Sequence, residues 1–306
     1  MSPTAVDIHA LTLAIGGLRL GARDDETELD FPPQEEALRR FLVAGQAADV
    51  QWSLCWDGCE RERQGTLYVH RGQWHITRGE GPDHPDHPTF IPLRVPGGVS
   101  PAQQTTRRLA IVSADLKSVE LHLDRRLEPQ GPINPFGYLL AEVYFILRFT
   151  RHPGLLLHAA AVRDGRGGAW VFPGPSGAGK STLARIWAEH GPAPPLSDES
   201  TLLLPGPDGR IWAHGTPWHS RAQIADPGAA PVVGLGFLEH GPAACWRDLD
   251  PVHALSGILS QAQVPSWHRE GLARSLDFIE RLREQAPVRT LAFRPDPTVI
   301  DHVLAG

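Results

Sequence analysis

Ala169-Trp170-Val171-Phe172-Pro173-Gly174-Pro175-Ser176-Gly177-Ala178-Gly179-Lys180-Ser181-Thr182 is an apolar run, a glycine loop and the start of a helix, in that order. Gly174 to Ser181 fits G-x-x-x-x-G-K-[ST], and a helical pattern follows from Leu183 to Glu189, closed by Gly191 after His190. Strand, glycine loop and helix N-terminus together make an anion site. Loop N–H groups point at phosphate oxygens and the helix dipole favours negative charge. On this reading Gly174, Pro175, Ser176, Gly177, Ala178, Gly179, Lys180, Ser181 and Thr182 contact a nucleotide. Lys180 reaches its outer phosphates and the Ser181 hydroxyl holds Mg²⁺, so the expected cofactors are ATP and Mg²⁺.

Composition supports the loop. Of 29 Lys+Arg residues only Lys117 and Lys180 are lysines, and one of these two is in the loop. A compact ammonium on a flexible stem suits a phosphate cradle, whereas arginine is a planar fork. The net charge of −6, with no long run of one sign, argues against a partner that is a nucleic-acid backbone. Cys55, Cys59 and Cys245 make no disulfide framework and suit a reducing, cytoplasmic compartment. Met1 to Asp7 lacks the look of a signal peptide. The longest apolar stretch, Leu139 to Phe149, is broken by Glu142 and Arg148 and is too short to span a bilayer, so no membrane partner is expected.

The 306 residues suggest two domains. Residues 1–130 read as a β-rich domain suited to acceptor recognition, with strands at Gln51 to Trp56, Thr66 to His70, Gln73 to Thr77, Arg107 to Ser113 and Val119 to Leu123. A helix is expected at Gln34 to Ala44, with Leu38, Phe41 and Leu42 on one face, and a long loop at Gly79 to Pro101. Asn134 to Arg151 reads as an amphipathic helix with Asn134 as N-cap and Pro135 at its first position. Residues 131–306 alternate. Strands are expected at Leu155 to Val162, Ala169 to Phe172 and Val232 to Leu238, a hairpin at Leu202 to Trp212, and a last strand at Val288 to Phe293. Helices are expected at Val252 to Ser260, around Leu272 to Leu282, and at Thr298 to Leu304. The expected class is α/β (α+β), a nucleotide-binding core with a β-rich N-terminal domain.

Leu196-Ser197-Asp198-Glu199 follows the loop helix. Phosphoryl transfer to a hydroxyl needs a carboxylate that orients or deprotonates the acceptor, and often another on the metal. Consecutive residues of a strand face opposite ways, so Asp198 and Glu199 converge only in a loop or at a strand end. The bland alternative is a solvent-facing turn after Pro194-Pro195.

Leu157-His158-Ala159-Ala160-Ala161-Val162, the GPSGAGKST loop, the helix to His190-Gly191 and then Ser197-Asp198-Glu199-Ser200 resemble the catalytic domain of HPr kinase/phosphorylase. The closer likeness is to the HPr-kinase-like enzymes encoded with ribosomal peptide natural products, including lasso peptide precursor kinases. His214-Gly215-Thr216-Pro217-Trp218-His219 and the segment Val288 to Asp296 also look like that group. The resemblance covers roughly residues 134–306 and implies a core of the HPr kinase/carboxykinase type. It makes Asp198 the catalytic acid/base, with Glu199 a metal or metal-water contact beside Ser181 and Asp198. Lys180 becomes the phosphate lysine and His158 the catalytic-site histidine near the reacting phosphate. It implies a kinase that phosphorylates a hydroxyl, on Ser or Thr of a peptide or protein such as a ribosomal peptide precursor. Glu199 stands where bifunctional HPr enzymes have Asp, and their later signature segment has no counterpart here, which favours one-way transfer. The resemblance permits a homo-oligomer such as a hexamer, with the long N-terminal region as an obstacle to it.

Thr216, Trp218 and His219 form a candidate acceptor loop, with a packed Trp as the structural alternative. Arg221 and Arg269 are candidates for neutralising charge in transfer, two among many arginines. Cys55-x-x-x-Cys59 lacks a second ligand pair for zinc, and His84-Pro85-Asp86-His87 sits in a Pro-rich stretch, so neither reads as a metal site. Competing readings are a small-molecule hydroxyl kinase and a regulatory switch that hydrolyses ATP slowly. A transporter ATPase needs LSGGQ, which Leu255-Ser256-Gly257-Ile258-Leu259 is not.

Overall fold

The computed structural model describes residues 9–31, 33–56, 64–70, 74–78, 89–94, 106–128, 130–137 and 139–306. Cys59 and His84-Pro85-Asp86-His87 lie outside these residues, as does Met1 to Asp7. The protein is mixed α/β with two sheets. It divides into two compact units, Met1–Glu36 with Leu42–Tyr144, and Ala37–Phe41 with Phe145–Gly306. The division falls between Tyr144 and Phe145, with Ala37–Phe41 assigned to the second unit. Among the described residues no helix is long and apolar enough to cross a membrane.

The first unit holds strands β1 (Ala10–Ile15), β2 (Leu18–Arg23), β3 (Val50–Cys55), β4 (Gln64–His70), β5 (Trp74–Arg78), β6 (Thr89–Arg94), β7 (Thr106–Val112) and β8 (Ser118–Leu123). They form one sheet in the order β1-β2-β3-β8-β7-β6-β5-β4, with β3 parallel to both β2 and β8. The β1–β2 hairpin turns at Gly16-Gly17, both at positive φ, 58° and 78°, as a two-residue primed turn requires. β6 falls inside the stretch expected to be loop. It pairs antiparallel with β7 from Thr89 opposite Val112 to Arg94 opposite Thr106, in spite of Pro92. Leu13, Ile15, Leu20, Trp52 and Leu121 are buried, and Trp52 meets the edges of Phe136 and Tyr144 at 5.4 and 6.0 Å between centroids.

Two expected helices are shorter or tighter than their patterns suggest. Pro33–Phe41 is 3₁₀, kinked at Glu35. At three residues per turn Leu38 and Phe41 eclipse and are buried, while Leu42 rotates out and is 37% exposed. Helix α1 spans only Leu140–Arg148. Asn134 caps a turn instead, its Oδ1 accepting from the Phe136 N–H at 2.9 Å, and Leu139 at φ 69° breaks the backbone before the helix starts. At the other end Thr150 and Arg151 donate to carbonyls three residues back, which ends the helix ahead of Pro153.

The second unit contains β9 (Leu155–Arg163), β10 (Ala169–Pro173), α2 (Lys180–His190), β11 (Pro195–Ser197), β12 (Ser200–Pro205), β13 (Ile211–His214), β14 (Ala229–His240), β15 (Cys245–Asp248), α3 (Pro251–Gln261), β16 (Ala262–Gln263), α4 (Arg269–Gln285), β17 (Val288–Phe293) and α5 (Thr298–Ala305). The path β10-β9-β12-β13-β14-β17-β15 bends back so that β14 also pairs with β10 in parallel. β11 and β16 both pair with β9. β9 reads as continuous apolar sequence because both of its faces are covered. Leu155, Leu157, Ala159 and Ala161 join a core with Ile258, Phe278, Ile279 and Leu282 of α3 and α4. Ala160 and Val162 join another with Leu183 and Trp187 of α2, Phe293 of β17, and Val299 and Val303 of α5. Helix α2 is thus fixed by a buried Leu183–Trp187 face, and the Trp187 indole N–H donates to the Arg163 carbonyl at 3.0 Å.

Candidate functional site

The glycine loop runs between β10 and α2, and its start is tied to the neighbouring strand: the Gly174 N–H donates to the His158 carbonyl at 3.2 Å. Within the loop the Ala178 N–H closes a turn on the Pro175 carbonyl at 3.2 Å. Gly179 precedes the helix at φ 102°, which favours glycine, and a Cβ there would lie 3.2 Å from the Phe293 ring, so the ring would have to give by a few tenths of an ångström. No side chain caps the helix, so the N–H groups of its first turn are not satisfied by a capping residue.

Lys180 is only 4% exposed. Its ammonium folds back to donate to the Gly174 carbonyl at 2.7 Å and the Pro175 carbonyl at 3.1 Å. Burial pulls its pKa below the ordinary lysine value, opposed by attraction to Glu199 and Asp198. The loop therefore carries a buried, hydrogen-bonded positive charge beside an uncapped helix start, the chemistry of an anion site.

Asp198 and Glu199 occupy the break between β11 and β12, both of which pair with β9. The break is built by serines. The Ser197 hydroxyl donates to the Ser200 carbonyl at 2.7 Å and accepts from the Glu199 N–H at 3.3 Å. The Thr201 hydroxyl takes up the Ala159 carbonyl of β9 at 2.9 Å. This bend releases the two acids from strand alternation, and they acquire different partners. Asp198 is fully buried: the Ser220 N–H donates to its Oδ1 at 3.2 Å and the Ser220 hydroxyl to its Oδ2. Glu199 is partly exposed, with Oε1 3.1 Å from His158 Nε2. That hydrogen bond holds the Glu199 carboxyl below its usual range, against the opposing effect of burial.

A cleft of about 1020 Å³ joins these pieces. Ser176, Gly177, Gly179, Lys180, Ser181 and Thr182 line it together with Glu199, Ser220, Arg221 and Ala222, and Arg185 and His240 also contribute to its wall. Gly174, Pro175 and Ala178 do not line it; the first two serve through the carbonyls that hold Lys180. His158 touches the cleft only through Glu199. The Ser181 hydroxyl lies 2.7 Å from that of Ser220, so Ser181, Ser220 and Asp198 form one hydrogen-bonded chain.

The expected acceptor loop sits differently. Thr216 is buried, its hydroxyl donating to the Ser200 carbonyl at 2.6 Å, so it braces the acid bend and presents nothing to the cleft. Trp218 packs edge-on against Phe145 at 5.8 Å, and His219 Nδ1 lies 2.8 Å from the Ser220 carbonyl. Neither lines the cleft; the residues just after them, Ser220 to Ala222, do. Arg221 reaches the wall and Arg269, exposed at the start of α4, does not. Ser220, Arg185 and His240 carry no motif in the sequence; only the position of Ser220, immediately after the aromatic turn, hints at its place in the cleft.

The oxygen donors Ser181, Glu199 and Asp198 suit a hard cation. Among the described residues no three of His, Cys, Asp and Glu gather as a metal site of their own, so such a cation would depend on ligand oxygens as well. The chain matches no protein-family model, and no curated protein matches it.

Proposed function

We propose that the second unit is a kinase built on a P-loop core. It binds Mg·ATP at residues 174–182 and transfers the terminal phosphoryl group to a hydroxyl, on Ser or Thr of a peptide or protein. The observation that carries this is the placement of Glu199, with Asp198 behind Ser220, in one cleft with Lys180 and the glycine loop. A loop and lysine alone would bind nucleotide. One carboxylate in the cleft, Glu199, and a second buried behind Ser220, Asp198, have the separate environments that transfer to a hydroxyl needs.

In this reading the loop N–H groups and Lys180 hold the phosphates. Lys180 exchanges its two backbone carbonyls for phosphate oxygens. Ser181 and Glu199, with Asp198 behind them, would hold Mg²⁺, which supplies neutralisation of phosphate charge; an oxygen-only set with one or two carboxylates fits that ion. His158 orients Glu199. Asp198 takes up the acceptor's proton as general base. Arg221 and Arg185 add positive charge to the cleft wall.

The test is incubation with γ-labelled Mg·ATP and a lysate of the source organism, with Asp198→Asn in parallel. Label in a peptide or protein that the variant does not produce supports the proposal. Label only in free phosphate favours a hydrolysing switch, and label in a metabolite moves the enzyme to the small-molecule kinases.

A further inference from the structure

We infer that Ser220 is a built-in phosphoryl acceptor, a self-phosphorylation site of this protein. The inference rests on the kinase reading above and adds the identity of a first acceptor.

Asp198 is wholly buried, and Ser220 contacts both of its carboxylate oxygens. A hydroxyl from solvent reaches this carboxylate only if covering groups move, whereas the Ser220 hydroxyl already touches it. Three further hydroxyls around the bend are committed elsewhere: Ser197 and Thr216 donate to the Ser200 carbonyl, and Thr201 to that of Ala159. Ser220 alone of these four donates to a carboxylate.

The polarity of the chain follows from donor chemistry. A carboxylate only accepts, so the Ser220 proton points at Asp198. Ser220 Oγ then accepts from Ser181, whose hydroxyl lies 2.7 Å away on the residue after Lys180. A second lone pair on Ser220 Oγ remains, and Ser220 lines the cleft beside the glycine loop. A hydroxyl hydrogen-bonded to a base and lying against the phosphate-holding elements is the arrangement of an activated nucleophile.

The step balances with a nucleoside triphosphate as co-reactant. Ser220 Oγ forms a bond to the γ-phosphorus, and the bond from that phosphorus to the β,γ-bridging oxygen breaks. The nucleoside diphosphate leaves with the electron pair, and the Ser220 proton passes to Asp198. The product is phosphoserine at 220.

The experiment uses the purified full chain with γ-labelled Mg·ATP and no other protein. Phosphopeptides are mapped by mass spectrometry, and binding of a fluorescent ATP analogue is measured alongside. The expected result is phosphate on Ser220 that accumulates at a rate independent of protein concentration. It disappears in Ser220→Ala, persists on the hydroxyl of Ser220→Thr, and slows by about 10²-fold or more in Asp198→Asn. The wild-type map needs no variant to fold, and analogue binding reports the integrity of each variant. Analogue bound without phosphate at residue 220 overturns the inference and leaves the kinase reading standing. No analogue bound overturns both.

Discussion

His158 Nε2 and Glu199 Oε1 lie 3.1 Å apart although 41 residues separate them in the chain. The imidazole stands on β9, and the acid on the bend between the two strands that β9 pairs with. Asp198, one residue earlier, is instead buried against Ser220. Two adjacent carboxyls thus have opposite surroundings, which is how one site assigns separate roles to similar groups.

Replacing His158 tests the role given to Glu199. An imidazole that orients a metal-binding carboxylate acts at one remove, and loss of such a partner typically weakens metal affinity or activity about 10- to 100-fold. His158→Gln should raise the Mg²⁺ concentration needed for half-maximal transfer by that factor, with unchanged far-UV circular dichroism. A Mg²⁺ dependence identical to wild type would separate His158 from the site.

Lys180→Ala removes the charge that bridges the Gly174 and Pro175 carbonyls. Charge-assisted contacts to phosphate are stronger than neutral ones, so Mg·ATP should bind about 10- to 100-fold more weakly by calorimetry, and transfer should vanish. Unaltered binding would sink the phosphate-loop reading.

Asp198→Asn keeps the size of the side chain and still accepts from Ser220 through one oxygen. Nucleotide affinity should stay within a few-fold of wild type. Transfer should fall by about 10²–10⁴, the usual worth of a general base. Near-normal turnover in single-turnover experiments would remove Asp198 from the mechanism.

The second unit was more legible in sequence than the first. β9, β10, β14, β17 and α2 to α5 follow apolar runs or helical periods, because each buries a face against a neighbour. β15 and β11 were missed: Cys245–Asp248 is largely exposed and offers no apolar signal, and Pro195–Ser197 is too short for alternation to show. In the first unit Pro92 masked β6, and the positive φ of Leu139 that shortens α1 carries no mark in composition. The site divides along the same line. Lys180 and Ser181 are local to a motif, and the acids stand close behind it in the chain. Their partners depend on register: Ser200 opposite His158 brings the imidazole to Glu199, and the turn after His219 delivers Ser220 to Asp198. No short-range pattern encodes such pairings.

Gly215 joins β13 to the segment that carries Thr216. Its N–H donates to the Gly228 carbonyl at 3.1 Å, and a Cβ would lie 1.9 Å from the Asp226 carbonyl oxygen and 2.6 Å from that of Leu196. Both obstacles are backbone, so neither can rotate away. Gly215→Ala should cost on the order of 3 kcal/mol by urea denaturation. Leu196 adjoins Ser197, so the strain reaches the acid bend, and transfer should weaken even where the variant remains folded. A midpoint equal to wild type would contradict the packing described.

His214, at the end of β13, has its pKa lowered from 6.5 to about 4 by burial. The unfolded chain therefore binds a proton at a pH where the folded chain does not. Stability from this residue is complete above about pH 6.5, declines as pH falls toward 4, and is constant below that. The full loss across the window is on the order of 3 kcal/mol. His214→Gln removes the titration while keeping a polar side chain of similar reach. Urea midpoints at pH 7.5, 5.5 and 4.5 should fall more steeply for the wild type than for the variant. Parallel profiles would show that His214 charges in the folded state as readily as in the unfolded chain. Its buried setting next to the β13–β14 pairing would then have no part in the acid sensitivity of this unit.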